Sequence, residues 1–207
     1  TSDDSLLNFT RRDPMTDGIV NHVSVSSSGD VWLVGANGHI ARSTDDGVTF
    51  ETLANNDTTV PKRELFDFTF AGSTGMPPFQ TSWWVGVGLT GRVVRGSTSF
   101  LNATPTFDVV PLPTSNTLLG VARCASAIGA CSTGSVLVAV GGNGVVFRSA
   151  DNGATWSSVT LPAGYTTFLN SVVAMPNSNS FYIGGVAPAG HGPLLFSNNG
   201  GLTFSEV

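Results

Sequence analysis

Residues 149–156, SADNGATW, recur at 43–50 as STDDGVTF and, with one change, at 197–204 as SNNGGLTF. A short apolar run and a glycine-rich turn precede each copy, and a strand-like stretch follows it. Self-similarity of this kind marks a repeat architecture, in which each unit covers its apolar face with the next. The aromatics that close the units, Phe50, Phe107, Trp156 and Phe204, are separated by 57, 49 and 48 residues. That period suits a four-stranded unit, and no stretch sustains a helical pattern.

Four units are expected, at about 19–53, 64–110, 117–161 and 167–207, each a meander of short strands joined by Gly/Asn/Asp/Ser turns. The second strands read VWLVG, WWVGVG, VLVAV and FYIGG, apolar without alternation. A strand apolar on both sides needs cover on both faces. A two-sheet sandwich leaves one side of each strand wet, whereas blades stacked around an axis cover both. The expected fold is therefore all-β and propeller-like, four blades of four-stranded antiparallel meanders, closed as a ring or left as an open arc. Residues 1–18 are expected to be either a frayed terminus or an N-terminal strand and loop, in which NFTRR (8–12) matches the stretches that close the units and could close a seam or be exchanged.

The box has a local purpose. Asp or Asn accepts hydrogen bonds from nearby backbone amides and Gly takes a conformation costly for other residues. Asp45, Asp151 and Asn199 are thus read as turn-formers, not acids for catalysis.

At these residues the chain resembles the Asp-box, or BNR-repeat, propellers, and the wider pattern is similar to sialidase-like and photosystem II assembly factor-like propellers. The stretches 35–50 and 141–156 carry it most fully. The match covers Ser43, Asp45, Gly47, Thr49 and Phe50; Ser149, Asp151, Gly153, Thr155 and Trp156; and Ser197, Gly201, Thr203 and Phe204, with Asn199 in place of Asp. In the second unit, 96–107 replaces the box with a longer loop. The resemblance implies a fold and, since the family's boxes lie away from its catalytic centres, no activity. Such propellers usually have six blades or more, against four here.

A sialidase would need three converging arginines, a tyrosine nucleophile with a glutamate partner, and an acidic acid/base. The chain has two tyrosines, Tyr165 and Tyr182, three glutamates, Glu51, Glu64 and Glu206, and no F/Y-R-I-P motif. Arg42, Arg95 and Arg148 hold equivalent positions in three units, and equivalent positions on separate blades point into separate gaps. His22, His39 and His191 lack metal-ligand spacing, the acidic boxes lack the other ligands of a calcium loop, and no glycine-rich stretch opens a helix to hold a nucleotide. No catalytic residue, metal or cofactor is expected.

Charged residues make up 11% of the chain, less than half the usual ~25%, and the net charge is -5. Nucleic-acid binding, which relies on clustered basic charge, is excluded. No apolar run approaches the roughly 20 residues of a membrane-spanning helix. Cys124 and Cys131 lie where a hairpin can pair them in a disulfide. N-x-S/T acceptors occur at Asn8, Asn56 and Asn102. With a single lysine, Lys62, these features favour a secreted, extracellular glycoprotein. The chain opens on Thr1 without a signal-peptide pattern, which suggests a processed or trimmed chain. Loops 72–82 and 187–193 are candidate contact surfaces.

The first functional expectation is a non-catalytic binding or scaffold module with a protein or glycan partner. The alternative is a self-assembling filament or sheath subunit whose copies join by strand exchange. A glycan-active hydrolase is the third.

Overall fold

The computed structural model describes residues 18–26, 28–76, 78–99, 104–124, 131, 136–162, 165, 168–186 and 192–207. The expected N-terminal strand, Asn8, Asn102, His191 and most of loop 187–193 lie outside these residues.

Among the described residues sixteen strands form four four-stranded antiparallel sheets, each in simple chain order. Blade 1 holds β1 (Val20–Val25), β2 (Val31–Gly35), β3 (Ile40–Ser43) and β4 (Glu51–Thr52). Blade 2 holds β5 (Leu65–Thr74), β6 (Thr81–Gly88), β7 (Arg92–Ser99) and β8 (Phe107–Val110). Blade 3 holds β9 (Leu118–Cys124), β10 (Val136–Gly141), β11 (Val146–Ser149) and β12 (Ser157–Ser158). Blade 4 holds β13 (Phe168–Ala174), β14 (Phe181–Val186), β15 (Leu194–Ser197) and β16 (Ser205–Glu206). The fold is all-β and propeller-like.

The apolar core is divided among the seams between sheets. Trp32, Val34 and Ile40 of blade 1 meet Phe68, Trp84, Val94 and Phe107 of blade 2. Val85, Val87 and Val93 of blade 2 meet Leu137, Ala139 and Phe147 of blade 3. Val138, Val140 and Val146 of blade 3 meet Leu169, Phe181, Ile183 and Leu195 of blade 4. This arrangement explains why β10 is buried at every position. In β14 burial alternates instead, because one face of blade 4 has no neighbour among the described residues. The inner strands β1, β5, β9 and β13 pack in succession, and β13 does not pack on β1 as adjacent inner strands do.

The outer strands of the boxed blades are only two residues long, and Phe50, Trp156 and Phe204 come just before them. Trp156 and Phe204 turn into the seams instead. Blade 2, which has no box, keeps a four-residue β8. Its outer edge pairs in parallel with the connector from blade 1 through Asn55 and Phe107. Phe107 donates its N–H to Ala54 O and accepts from Asn56 N–H, both at 2.8 Å.

Candidate binding groove and the turns that hold it

In the first box the Ser43 hydroxyl donates to Asp45 Oδ1 at 2.7 Å and accepts from Gly47 N–H at 2.9 Å. Thr49 donates its N–H to Asp45 Oδ1 at 2.8 Å and its hydroxyl to Oδ2 at 2.6 Å. The third blade repeats this with Ser149, Asp151, Gly153 and Thr155. In the fourth, Asn199 Oδ1 accepts from Ser197 Oγ and Thr203 N–H, while its Nδ2 donates to Thr203 Oγ1 at 2.8 Å. The amide therefore reverses one bond and keeps the turn. Each corner places two successive residues at positive φ, Asp46–Gly47, Asn152–Gly153 and Gly200–Gly201, which accounts for glycine at the second position.

Hydrogen bonds from the Thr49 hydroxyl and amide, then from Ser43, hold the Asp45 carboxyl down at about 2. Burial pushes Asp151 up, but bonds from Thr155 and Ser149 outweigh it and keep the carboxyl below its ordinary value. These acids are committed to turns and are not poised as general acids.

The arginines lie in separate seams, each held. Arg95 donates to the Asn152 carbonyl at 2.8 Å and stacks on Trp83, 3.5 Å from the ring centre. Arg148 donates to the Gly200 carbonyl at 2.6 Å. Each thus grips the box corner of the following blade. Blade 2 offers no box to Arg42, which pairs with Asp30 of its own blade at 2.7 Å.

The seam between blades 1 and 2 is closed by a polar hub that sequence reasoning missed. Asp57, 4% exposed, accepts from Thr59 N–H and Oγ1 and from Arg63 N–H, and its Oδ2 lies 3.1 Å from Arg92 Nε. Burial pushes the carboxyl up, while these donors and the Arg92 charge prevail and hold it below its ordinary value. Asn55 donates to Gly38 O at 2.8 Å, and Lys62 Nζ donates to Asn55 O. The Asn56 side chain, in one of the N-x-S/T triplets, is exposed and donates to Asp108 Oδ1 at 2.7 Å.

The four inner strands line one groove of about 470 Å³. Asp67 ties its wall together across three blades: Oδ1 pairs with His22 Nδ1 of β1 at 3.0 Å and Oδ2 accepts from Val121 N–H of β9 at 2.8 Å. The carboxylate thus orients the His22 imidazole on the groove wall. A recess of about 560 Å³ adjoins the groove at Arg123, lined by Phe70, Trp84, Gln80 and the hydroxyls of Ser26, Ser28, Ser73 and Ser82. Arg123 lies over the Phe70 ring at 4.9 Å, and burial lowers its pKa, though an arginine stays charged in such surroundings.

Tyr165 is hydrogen-bonded to Glu206, a bond that raises its pKa, the wrong direction for a nucleophile. Glu206 belongs to β16, the outermost strand of its sheet. The described residues hold no cluster of metal-ligating side chains and no helix long and apolar enough to cross a membrane. Cys124 and Cys131 form a disulfide buried in the seam between blades 3 and 4. Loop 72–82 exposes Met76 and Phe79.

No protein-family model matches the chain, and no curated protein matches it. Among solved structures it is similar to YCF48 from Cyanidioschyzon merolae, with a TM-score of 0.55 at 17% identity over 87% of this chain and 50% of that one. A structure described as YCF48 bound to D1 peptide aligns with a TM-score of 0.43 at 13% identity, over 91% of this chain and 82% of that one. The chain spans about half the length of the Cyanidioschyzon protein. At such identity the first likeness establishes the fold, a propeller-like stack of antiparallel blades.

Proposed function

We propose that this chain is a non-catalytic binding module that receives a protein segment in the groove lined by its inner strands. The carrying observation is that residues from all four inner strands line that one groove, while the Asp67 contacts fix three of these strands relative to one another. A preorganised wall lowers the ordering cost of binding. Its chemistry suits an extended polypeptide: exposed aliphatic surface from Val23 and Val173, hydrogen-bonding groups from Thr69 and His22, and positive charge from Arg123 at the mouth of the recess. An acidic or amide-bearing residue beside an apolar one fits that combination.

Selection of an extended-peptide library on the immobilised chain tests this reading. Enriched peptides should lose at least about tenfold in affinity for the Val23→Glu variant, whose side chain is exposed on the groove wall. Failure to enrich any sequence, or enrichment indifferent to Val23→Glu, sinks it, as does turnover of any member of a sialoside and glycoside panel. We further propose that the protein is extracellular and carries glycans at Asn8, Asn56 and Asn102; an unchanged mass after N-glycosidase treatment of native material refutes that part.

A further inference from the structure

Each blade presents one face to the blade that follows it, here called its exit face. In blades 2 and 3 the exit face carries a valine directly across from an arginine: Val85 opposite Arg95, and Val138 opposite Arg148. The next box corner sits on that pair. A Cβ on Gly153 would collide with Val85, and one on Gly201 would lie 2.5 Å from Val138 Cγ2; the arginines meanwhile hold the Asn152 and Gly200 carbonyls. Blade 1 has Trp32 at the valine position, opposite Arg42. The blade after it has no box, and Trp32 packs against Phe68, Trp84 and Phe107 with ring centres 4.3–6.3 Å apart.

In blade 4 the same two positions are Tyr182 and Phe196, whose rings lie 4.9 Å apart. Nothing among the described residues covers this face: Val186 is 56% exposed and Leu194 46%, and a Cβ on Gly184 would meet nothing within 4 Å.

We infer that the exit face of blade 4 is a docking surface for a β-sheet blade that lacks an Asp-box turn and lies outside these 207 residues. A tyrosine ring fills the volume into which a box glycine descends onto valine, and overpacking of that kind is unfavourable. Phe196 has no donor to replace the guanidinium that holds the corner carbonyl in the other two seams. What the face does offer is aromatic and aliphatic surface, as Trp32 offers blade 2. The box of blade 1 fails the same criterion as a partner, so a second copy does not join head-to-tail through this face.

The test extends the full chain after Val207 through a short Gly/Ser linker with a second copy of either residues 64–110, the boxless blade, or residues 167–207, a boxed one. On the native face the boxless copy should be cleaved by protease at least about tenfold more slowly than the boxed copy. In the Tyr182→Val/Phe196→Arg background, which recreates the pair found in blades 2 and 3, that order should reverse. Equal or better protection of the boxed copy on the native face overturns the inference, and so does lack of protection of either. A dimer of the unextended chain that Leu194→Glu dissolves also overturns it, because the occupant is then a second copy. Should the double variant fail to fold, the two extensions on the native chain decide the matter by themselves.

Discussion

Alanine at Gly47, Gly153 or Gly201 imposes similar backbone strain, because φ at the three positions is 78°, 79° and 75°. The steric consequence differs. At Gly153 the new methyl collides with Val85, and at Gly201 it falls 2.5 Å from Val138 Cγ2, whereas at Gly47 the nearest atom among the described residues is a Phe50 ring carbon at 3.9 Å. Left-handed strain costs about 1–2 kcal/mol, and forcing an extra methyl into a packed seam costs about 1–3 kcal/mol more. Gly47→Ala should therefore lose about 1–2 kcal/mol, and Gly153→Ala and Gly201→Ala about 2–5 kcal/mol, read as shifts in urea midpoint at constant m-value. A double-mutant cycle isolates the collision: in a Val85→Ala background, Gly153→Ala should cost no more than Gly47→Ala does. Equal losses at all three glycines, or a Gly153→Ala penalty untouched by Val85→Ala, would refute the claim that box corners are seated on the preceding blade.

Three further outcomes follow from the same contacts. The lowered carboxyls of Asp45, Asp57 and Asp151 stabilise the fold fully above the unfolded aspartate value and lose that contribution as pH falls through their folded values. The melting temperature should accordingly hold from neutrality to about pH 4 and then fall toward pH 2, where Asp45 titrates; Asp151→Asn, which copies the fourth box, should flatten part of that fall in a thermal-melt series. Asp57→Asn should cost about 3–5 kcal/mol in chemical denaturation by stranding Arg92, and adding Arg92→Met should recover part of the loss. Reduction of the disulfide, which closes a loop with a sequence separation of 7, should cost roughly 2–3 kcal/mol, with hydrogen exchange rising first in the seam between blades 3 and 4.

The blades could be read from the residues because each box is a local device: Ser, Asp or Asn, Gly and Thr bond to one another within eight positions, so spacing alone reveals the turn. The apolar second strands carried the stacking in the same way, and β14 departed from its expected burial only because its cover is a neighbour and not a property of its own sequence. The equivalence of Arg42, Arg95 and Arg148 was visible too, but not their partners, which lie 12, 57 and 52 positions away. Asp57 was hidden inside an N-x-S/T triplet in a connector, where nothing local distinguishes a buried hub from a solvated acid. The link from His22 through Asp67 to Val121 depends on three inner strands meeting in register, and the bulges at the starts of β1 and β5 shift that register in ways composition does not signal.

Among the described residues, each apolar core is held in common by two sheets. A repeat can then be gained or lost in descent only if the junctions it creates are compatible, so selection acts on pairs of facing surfaces and leaves the outer loops free to drift. Valine with arginine admits one class of successor, and a bulky aromatic admits another. Blade order in such a chain is accordingly written in its joints, and transplanting a blade without its matching predecessor should yield a mismatched seam however well its own sequence suits a four-stranded sheet.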